Sequence, residues 1–518
     1  VPDPAPTVEV RTRAGAVRGR WRGEPGARGA SAAFLGIPFA EPPVGGLRFA
    51  APEPARPWDG VRDTLEHGPT PQRGDPGVTI IPEPSVPGEA TLNVDVFTPS
   101  PSAAAPADRP PGTGAPAGLP VLVWFHGGGY VAGSPASPWY DGRTFNRDGV
   151  VTVNVSYRLG FDGFGWIDGA PANRAVLDWL LALEWVRDNV AAFGGDPARV
   201  TIAGQSAGGG AALTLLGMPR AQGLFHRVWA VSPALADVSP ERARAFARRI
   251  GELGGIRPDL DGLRSLSEER VRQLQREALR PPRGARGGGA ALVAEGLPLG
   301  PVVDGSLVPA KTLSSIASGV GAAVPLVVGT TDDEFSSAFR DSERSLRLMS
   351  RKAALKRLGL VEPRRSEWLE ANRREGLHGT AAVLGRYVSD HVFRAPLVRT
   401  VAARELGATV AATEGAAPAA TWAYRFSWRS PVSGSAVHCL DVPFVFDVLA
   451  EGHVPAVAGV RPPQGLADRL HADVVAFVRG ADPAWPTAAG EAFPARRYDA
   501  TIATMPDAYA SARPIAGV

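Results

Sequence analysis

A mostly parallel β-sheet covered by helices is the fold class this sequence predicts. Three observations carry the expectation. Short apolar, β-rich runs alternate with helical patterns through the first half of the chain. One of those runs, Val200 to Ala203, stops at Gly204-Gln205-Ser206-Ala207-Gly208, and an Ala/Leu-rich helical run follows at once. Further on, a carboxylate cluster follows one strand-like segment at once and a histidine comes shortly after another.

In chain order, the strand candidates of the first half are residues 33–35, 92–97, 121–125, 150–155 and 200–203. The helices between and after them are 173–189 and 207–216. Later strands are expected at 228–231, 325–328 and 421–427. The Pro/Ala/Gly segment 101–118 and the Gly-rich 281–290 read as exposed loops. Helical stretches at 240–278 and 345–404 interrupt the sheet pattern and suit a cap or the walls of a pocket. We find no internal repeat. The expectation is one domain over residues 1–518, with helical insertions around 235–320 and 340–410.

Composition narrows the class. The chain has 518 residues, 44% hydrophobic and 21% charged, which is ordinary for a globular protein with a large core. Net charge is only +3, and lysine occurs at Lys311, Lys352 and Lys356 alone, the other basic residues being arginine. The arginine clusters at 344–357 and 364–374 alternate with Glu and Leu at helical spacing, which reads as a solvated helix face and not as a nucleic-acid surface. No apolar run reaches the length of a membrane span, so no membrane partner is expected. A single cysteine, Cys439, rules out an internal disulfide and favours a reducing, cytoplasmic compartment. The first residue is Val, so a removed leader and secretion stay open. A monomer is the favoured state.

The Gly-x-Ser-x-Gly pentapeptide between a strand and a helix is the sequence form of a nucleophile elbow, in which a sharp turn presents a serine at its tip. Glycines two before and two after Ser206 fit the crowding of such a turn. A serine hydroxyl is a weak nucleophile near neutral pH and needs a base that an acid holds in place. The run 324–329 reads as a buried strand leading into Thr330-Thr331-Asp332-Asp333-Glu334, three carboxylates at a strand end. The segment 421–429 leads through Pro431 and Gly434 to His438, the one histidine beyond the acids that follows a clear strand. His378, His391, His453 and His471 sit in helix-like segments and suit surface or packing roles. His126-Gly127-Gly128-Gly129, after the strand 121–125, lets backbone N–H groups approach a ligand without Cβ interference. Its spacing does not fit a phosphate-binding loop. Serine, carboxylate, histidine and a donor loop, each after a strand, point to acyl transfer through a serine.

With those residues, the chain resembles the type-B carboxylesterases, a family of α/β-hydrolases that includes bacterial p-nitrobenzyl esterases and the cholinesterases. The likeness spans nearly the whole sequence. It rests on Leu35-Gly36-Ile37-Pro38-Phe39-Ala40, Leu47-Arg48-Phe49, Tyr157-Arg158-Leu159-Gly160 and Phe193-Gly194-Gly195-Asp196-Pro197, and most of all on Gly204-Gln205-Ser206-Ala207-Gly208-Gly209. The resemblance implies Ser206 as nucleophile, His438 as base and Glu334 as acid, with the N–H groups of Gly128, Gly129 and Ala207 as oxyanion donors. On local chemistry alone Asp332 and Asp333 remain rivals for the acid. The resemblance also implies a salt bridge between Arg48 and Glu89.

Two departures stand out. Thr70 and Thr91 occupy the family's N-terminal disulfide positions, so the loop between them is not stapled. Phe335 stands where the family usually has glycine after the catalytic Glu, and it either fills space behind the triad or shifts the acid. Cys439 beside His438 reads as a small buried side chain. Trp124 and Trp139, near the donor loop, are candidates for a pocket wall, with core packing the better reading.

The expected activity is hydrolysis of small-molecule carboxylic esters through an acyl-Ser206, with no metal or organic cofactor required. An amidase, thioesterase or acyltransferase would use the same groups. A catalytically silent binding member of the fold would typically lack one of them.

Overall fold

The apolar runs assemble side by side, and their order sets where every candidate residue lies. The computed structural model describes residues 5–74, 79–101, 118–280, 288–339, 342–373, 377–490 and 493–517. Its strands are β1 (Thr7–Arg11), β2 (Ala16–Arg22), β3 (Ser31–Pro38), β4 (Val61–Asp63), β5 (Asn93–Thr98), β6 (Leu119–Phe125), β7 (Val151–Val155), β8 (Gly195–Gln205), β9 (Arg227–Val231), β10 (Leu326–Thr331), β11 (Thr421–Phe426), β12 (Ala495–Tyr498) and β13 (Ala503–Met505). They form one sheet in the order β1-β2-β3-β5-β7-β6-β8-β9-β10-β11-β12-β13, with β4 beside β2.

From β7 to β12 neighbouring strands all run parallel. At the other edge β1, β2, β3 and β5 pair antiparallel, and β13 turns back on β12. The parallel block is covered on both sides, as such sheets must be. Alternation along β6 shows how: Val121, Val123 and Phe125 enter one core, while Leu122 and Trp124 enter another on the opposite face.

The longer helices are α1 (Arg174–Asn189), α2 (Ala207–Leu216), α3 (Pro240–Gly254), α4 (Glu268–Leu279), α5 (Arg364–Ala371), α6 (Gly379–Ser389), α7 (Ala395–Thr413) and α8 (Gln464–Val478). Apolar stripes of α1, α2 and α7 fill the first core. The stripe of α8, with Leu470, Val474 and Phe477, fills the second. Between α6 and α7 the chain makes one π-helical turn, Asp390–Arg394. There Asp390 and Arg394 form a fully buried ion pair of 2.7 Å, and Trp368 Nε1 donates to Asp390 at 2.9 Å.

Each strand expected from the sequence is present, within a few residues of its expected bounds. Residues 102–117 and 281–287 of the two expected loops lie outside the described residues, and Ala290 belongs to a short helix, Gly289–Glu295. The helical stretches between β9 and β10 and between β10 and β11 are present as α3 and α4, and as α5 to α7. Among the described residues no helix is long and apolar enough to cross a membrane.

Candidate active site

All the candidate residues follow the C-terminal ends of parallel strands, which gather at one edge of the sheet, where ligands of such sheets bind. β8 ends at Gln205, and Ser206 makes the turn into α2 with φ 57° and ψ −120°. That conformation is strained for a residue with a Cβ. It is held by Ser206 N–H donating to Val231 O at 2.9 Å, and by Gly210 and Ala234 N–H donating to Ser206 O at 2.8 and 2.9 Å. The flanking glycines allow the turn through close approach. A Cβ on Gly208 would lie 2.0 Å from Phe125 O, and one on Gly204 would lie 2.5 Å from Gly208.

β10 delivers Asp332, Asp333 and Glu334. Glu334 is buried, and its Oε1 accepts from Ser232 Oγ at 2.6 Å and from Thr331 N–H at 2.8 Å. Its Oε2 faces Nδ1 of His438 in a short hydrogen bond. The other two carboxylates are engaged elsewhere. Asp332 pairs with Arg425. Burial works against its charge, but that guanidinium outweighs it and holds the carboxyl below its ordinary value. Asp333 pairs with Arg386 at 3.3 Å and accepts from Ala436 N–H at 3.1 Å. Of the three acids, the structure brings Glu334 to the histidine.

The main chain joins the acid and histidine loops. Asp333 N–H donates to Ala436 O at 2.9 Å, and His438 N–H donates to Glu334 O at 3.1 Å. The imidazole itself lies against two aromatic rings, with centroids 5.1 Å away for Phe335 and 4.7 Å for Phe393. Phe335 therefore fills the space beside the ring, while its N–H donates to Ser389 Oγ at 3.0 Å. Burial disfavours the imidazolium of His438, yet Cys439 and the Glu334 carboxylate beside it prevail and hold its pKa well above the ordinary histidine value. Cys439 is buried, and burial pushes its thiol up against the pull of the neighbouring imidazole.

On the far side of the ring, Gln205 Nε2 donates to His438 Nε2 at 3.0 Å. Among the described residues Ser206 makes no side-chain hydrogen bond to His438; its neighbour holds that nitrogen.

The loop after β6 approaches the serine directly. A Cβ on Gly127 would meet Ser206 Cβ at 3.2 Å. Gly128 takes φ 108°, and its carbonyl accepts from Val131 and Ala132 N–H at 3.1 and 3.0 Å. No acceptor among the described residues takes the N–H groups of Gly128 and Gly129, and Ala207 is the first residue of α2, where N–H groups have no intrahelical partner. His126 is fully buried and stacked on Tyr157, centroids 4.4 Å apart; burial drops its pKa to about 4, so it carries no charge.

Other expectations are met or corrected. Thr70 and Thr91 are both buried. Thr70 closes the unstapled loop by hydrogen bonds. Its N–H donates to Val86 O at 3.0 Å, while its Oγ1 accepts from Val86 N–H at 2.9 Å. The Arg48–Glu89 salt bridge is not formed. Arg48 Nε instead binds Asp162 Oδ2 at 3.2 Å, because Asp162 is partly buried beside it whereas Glu89 is exposed. Trp124 and Trp139 are buried core residues, Trp124 lying edge-on to Phe446 at 4.9 Å.

Sequence reasoning missed Gln205, Ser232 and Phe393 as members of the site. Ser232 carried one signal: it follows β9 immediately, next to the strand that ends at the serine.

The parallel sheet, the serine turn and the acid–histidine pair at one edge are the arrangement of an α/β-hydrolase. The solved structure of a PNB esterase superposes with a TM-score of 0.79 at 29% identity, over 98% of each chain. Carboxylesterase EST55 of Geobacillus stearothermophilus does so with a TM-score of 0.77 at 31% identity, over 98% of this chain and 99% of that one. The para-nitrobenzyl esterase of Bacillus subtilis is 32% identical over 80% of this chain and 78% of its own length. The phenmedipham hydrolase of Pseudarthrobacter oxydans is 32% identical over 88% of both. The profile of the carboxylesterase family matches residues 5–491. The chain belongs to the carboxylesterase family and is a carboxylic ester hydrolase.

Proposed function

We propose that this protein hydrolyses small carboxylic esters by a two-step acyl transfer through Ser206, with His438 as base, Glu334 as its acid partner and Gly128, Gly129 and Ala207 as oxyanion donors. The observation that carries the reading is the hydrogen bond of His438 Nδ1 to the buried Glu334 carboxylate, beside a strained serine turn at the same edge of the sheet.

With Nδ1–H given to Glu334, the lone pair of His438 is on Nε2, the nitrogen that can take a proton. The Gln205 amide yields that position, and Ser206 Oγ gives its proton to Nε2 as it bonds to the ester carbonyl carbon. The carbonyl oxygen becomes an anion facing the three backbone N–H groups, each such donor contributing about 3 kcal/mol to the transition state. The tetrahedral adduct then breaks its bond to the alkoxy oxygen, which leaves as the alcohol with the proton from His438. Water loses a proton to the same nitrogen, attacks the acyl carbon, and the acid departs as Ser206 recovers its proton.

Release of p-nitrophenol from p-nitrophenyl acetate tests this. We expect turnover that falls by about 10⁴-fold or more in Ser206→Ala, and labelling of the parent, not the variant, by a fluorophosphonate. Undiminished turnover in the folded variant would remove Ser206 from the mechanism.

A further inference from the structure

A cavity of about 390 Å³ lies beside Val131 and Ala132, the residues that follow the glycine loop, and Ser206, Glu334 and His438 are not among its lining residues. Its size lies within the range of small-ligand pockets. The apolar part of its wall includes Phe49, Val131, Leu159 and Val271, and five arginines, Arg48, Arg73, Arg158, Arg272 and Arg276, reach it.

The hydrogen bonding of those arginines is uneven. Arg48 donates through Nε to Asp162 and through Nη1 to Leu266 O at 2.7 Å, leaving Nη2 buried with no acceptor among the described residues. Arg73 donates to Glu268 at 3.0 Å and to Thr70 O at 2.9 Å. Arg272 is different. Only 33% of its side chain is exposed, yet it makes no hydrogen bond among the described residues, and its nearest carboxylate oxygen, on Glu268, is 3.7 Å away. Arg276 stands one turn further along α4 on the same face, exposed to solvent at the cavity's edge and also without a partner among the described residues. Arg272, partly withdrawn from water and with no hydrogen-bond acceptor among the described residues, is ready for an anion that the exposed Arg276 can also reach, and a guanidinium's planar fork matches a carboxylate.

We propose that this cavity is a binding site for an organic monocarboxylate, held by Arg272 and Arg276 with its apolar body against Phe49, Val131 and Leu159. The charge balance favours one negative charge. The fifth arginine, Arg158, is bound by Asp178 at 2.7 Å, so five arginines face Asp162, Asp178, Glu268 and Glu89. A phosphate dianion would overshoot that balance, and a carboxylate without an apolar body would leave the wall uncovered. The site stands apart from the acyl-transfer reading and does not depend on it.

The test is a ¹⁹F NMR titration of the whole chain with 4-fluorobenzoate, alongside neutral 4-fluorobenzamide. We expect saturable binding of one benzoate, with the amide about tenfold weaker or worse. Arg272→Gln/Arg276→Gln should weaken benzoate by about tenfold at an unchanged unfolding midpoint. Each single variant should show part of the loss. Equal binding of the amide, unchanged binding in the double variant, or no saturable binding would each overturn the proposal and leave these arginines as solvated side chains. Ethyl 4-fluorobenzoate separates two sources of the ligand: if it is hydrolysed, the site receives the protein's own product acid, and if not, an acid from elsewhere. Protein capped at its reactive serine should bind benzoate unchanged, so a failure of capping bears on the acyl-transfer reading alone.

Discussion

The side-chain amide of Gln205 donates to Nε2 of His438 at 3.0 Å, on the nitrogen opposite the one that holds Glu334. The imidazole is thus bound at both ends, and the residue before the serine holds the nitrogen that the proposed mechanism uses as base. Because a base must be neutral, and because Glu334 and the adjoining Cys439 hold His438 above the ordinary value against the effect of burial, kcat/KM should rise with pH to a midpoint above 6.5. Gln205→Glu puts a second carboxylate on the ring and should move that midpoint further up, with activity recovering at higher pH. A pH profile of the two proteins checks this, and coincident profiles would show that Gln205 does not sense the ring.

Phe335 should matter to rate more than to binding. Its ring packs against His438 and Phe393, with centroids 5.1 and 5.3 Å away. Phe335→Ala removes a contact of the kind that contributes about 0.5–1.5 kcal/mol, and the imidazole loses a wall. We expect kcat to drop roughly three- to tenfold by that arithmetic with KM little changed, and Phe335→Leu to recover part of it. A change confined to KM would mean the ring touches substrate instead.

Thr70 replaces a covalent staple with hydrogen bonds. Thr70→Val deletes the hydroxyl that accepts from Val86 N–H and donates to Gln72 O at 3.0 Å, leaving both without that partner. Chemical denaturation should show a loss of about 1–3 kcal/mol, with Thr70→Ser near the parent. An equally stable Thr70→Val would mean the loop is held by its other contacts.

His471 ties α8 to the segment that follows His438. Its Nδ1 lies in hydrogen-bond contact with Val445 O at 2.8 Å and its Nε2 with Asp148 Oδ2 at 3.1 Å. The hydrogen bond from His471 depresses the Asp148 pKa from 3.8 to about 2. Since the folded value is the lower one, this stabilisation is present above the unfolded value near 3.8 and disappears as pH falls through about 2. The parent should therefore lose more thermal stability between pH 5 and pH 2 than His471→Leu, whose Asp148 lacks that partner. Parallel melting curves for both would exclude the link.

How much of this was readable in the chain depends on where each residue sits. The central strands β6 to β11 were visible because strands buried on both faces read as unbroken apolar runs. β2 was not, because Arg18, Arg20 and Arg22 alternate along it, Arg20 facing solvent outright, and β4, β12 and β13 are only three or four residues long. Ser206, the carboxylate cluster 332–334 and His438 were marked by the strand ends that carry them, and within the cluster only the family resemblance pointed to Glu334. Gln205, Ser232 and Phe393 were not, since their contacts exist only once β8, β9 and the π-helical turn are brought to one edge. The Arg48–Glu89 expectation failed for a related reason: sequence position said nothing of Asp162, which lies closer.

The acid and histidine loops are joined rung by rung, Asp333 to Ala436 and Glu334 to His438, through backbone atoms that every residue type supplies. The spacing of the two loops therefore does not depend on which side chains line the space around them. Divergence of substrate taste within such a scaffold comes cheaply, because the spacing on which the chemistry depends is inherited with the fold and not rebuilt with each new set of walls.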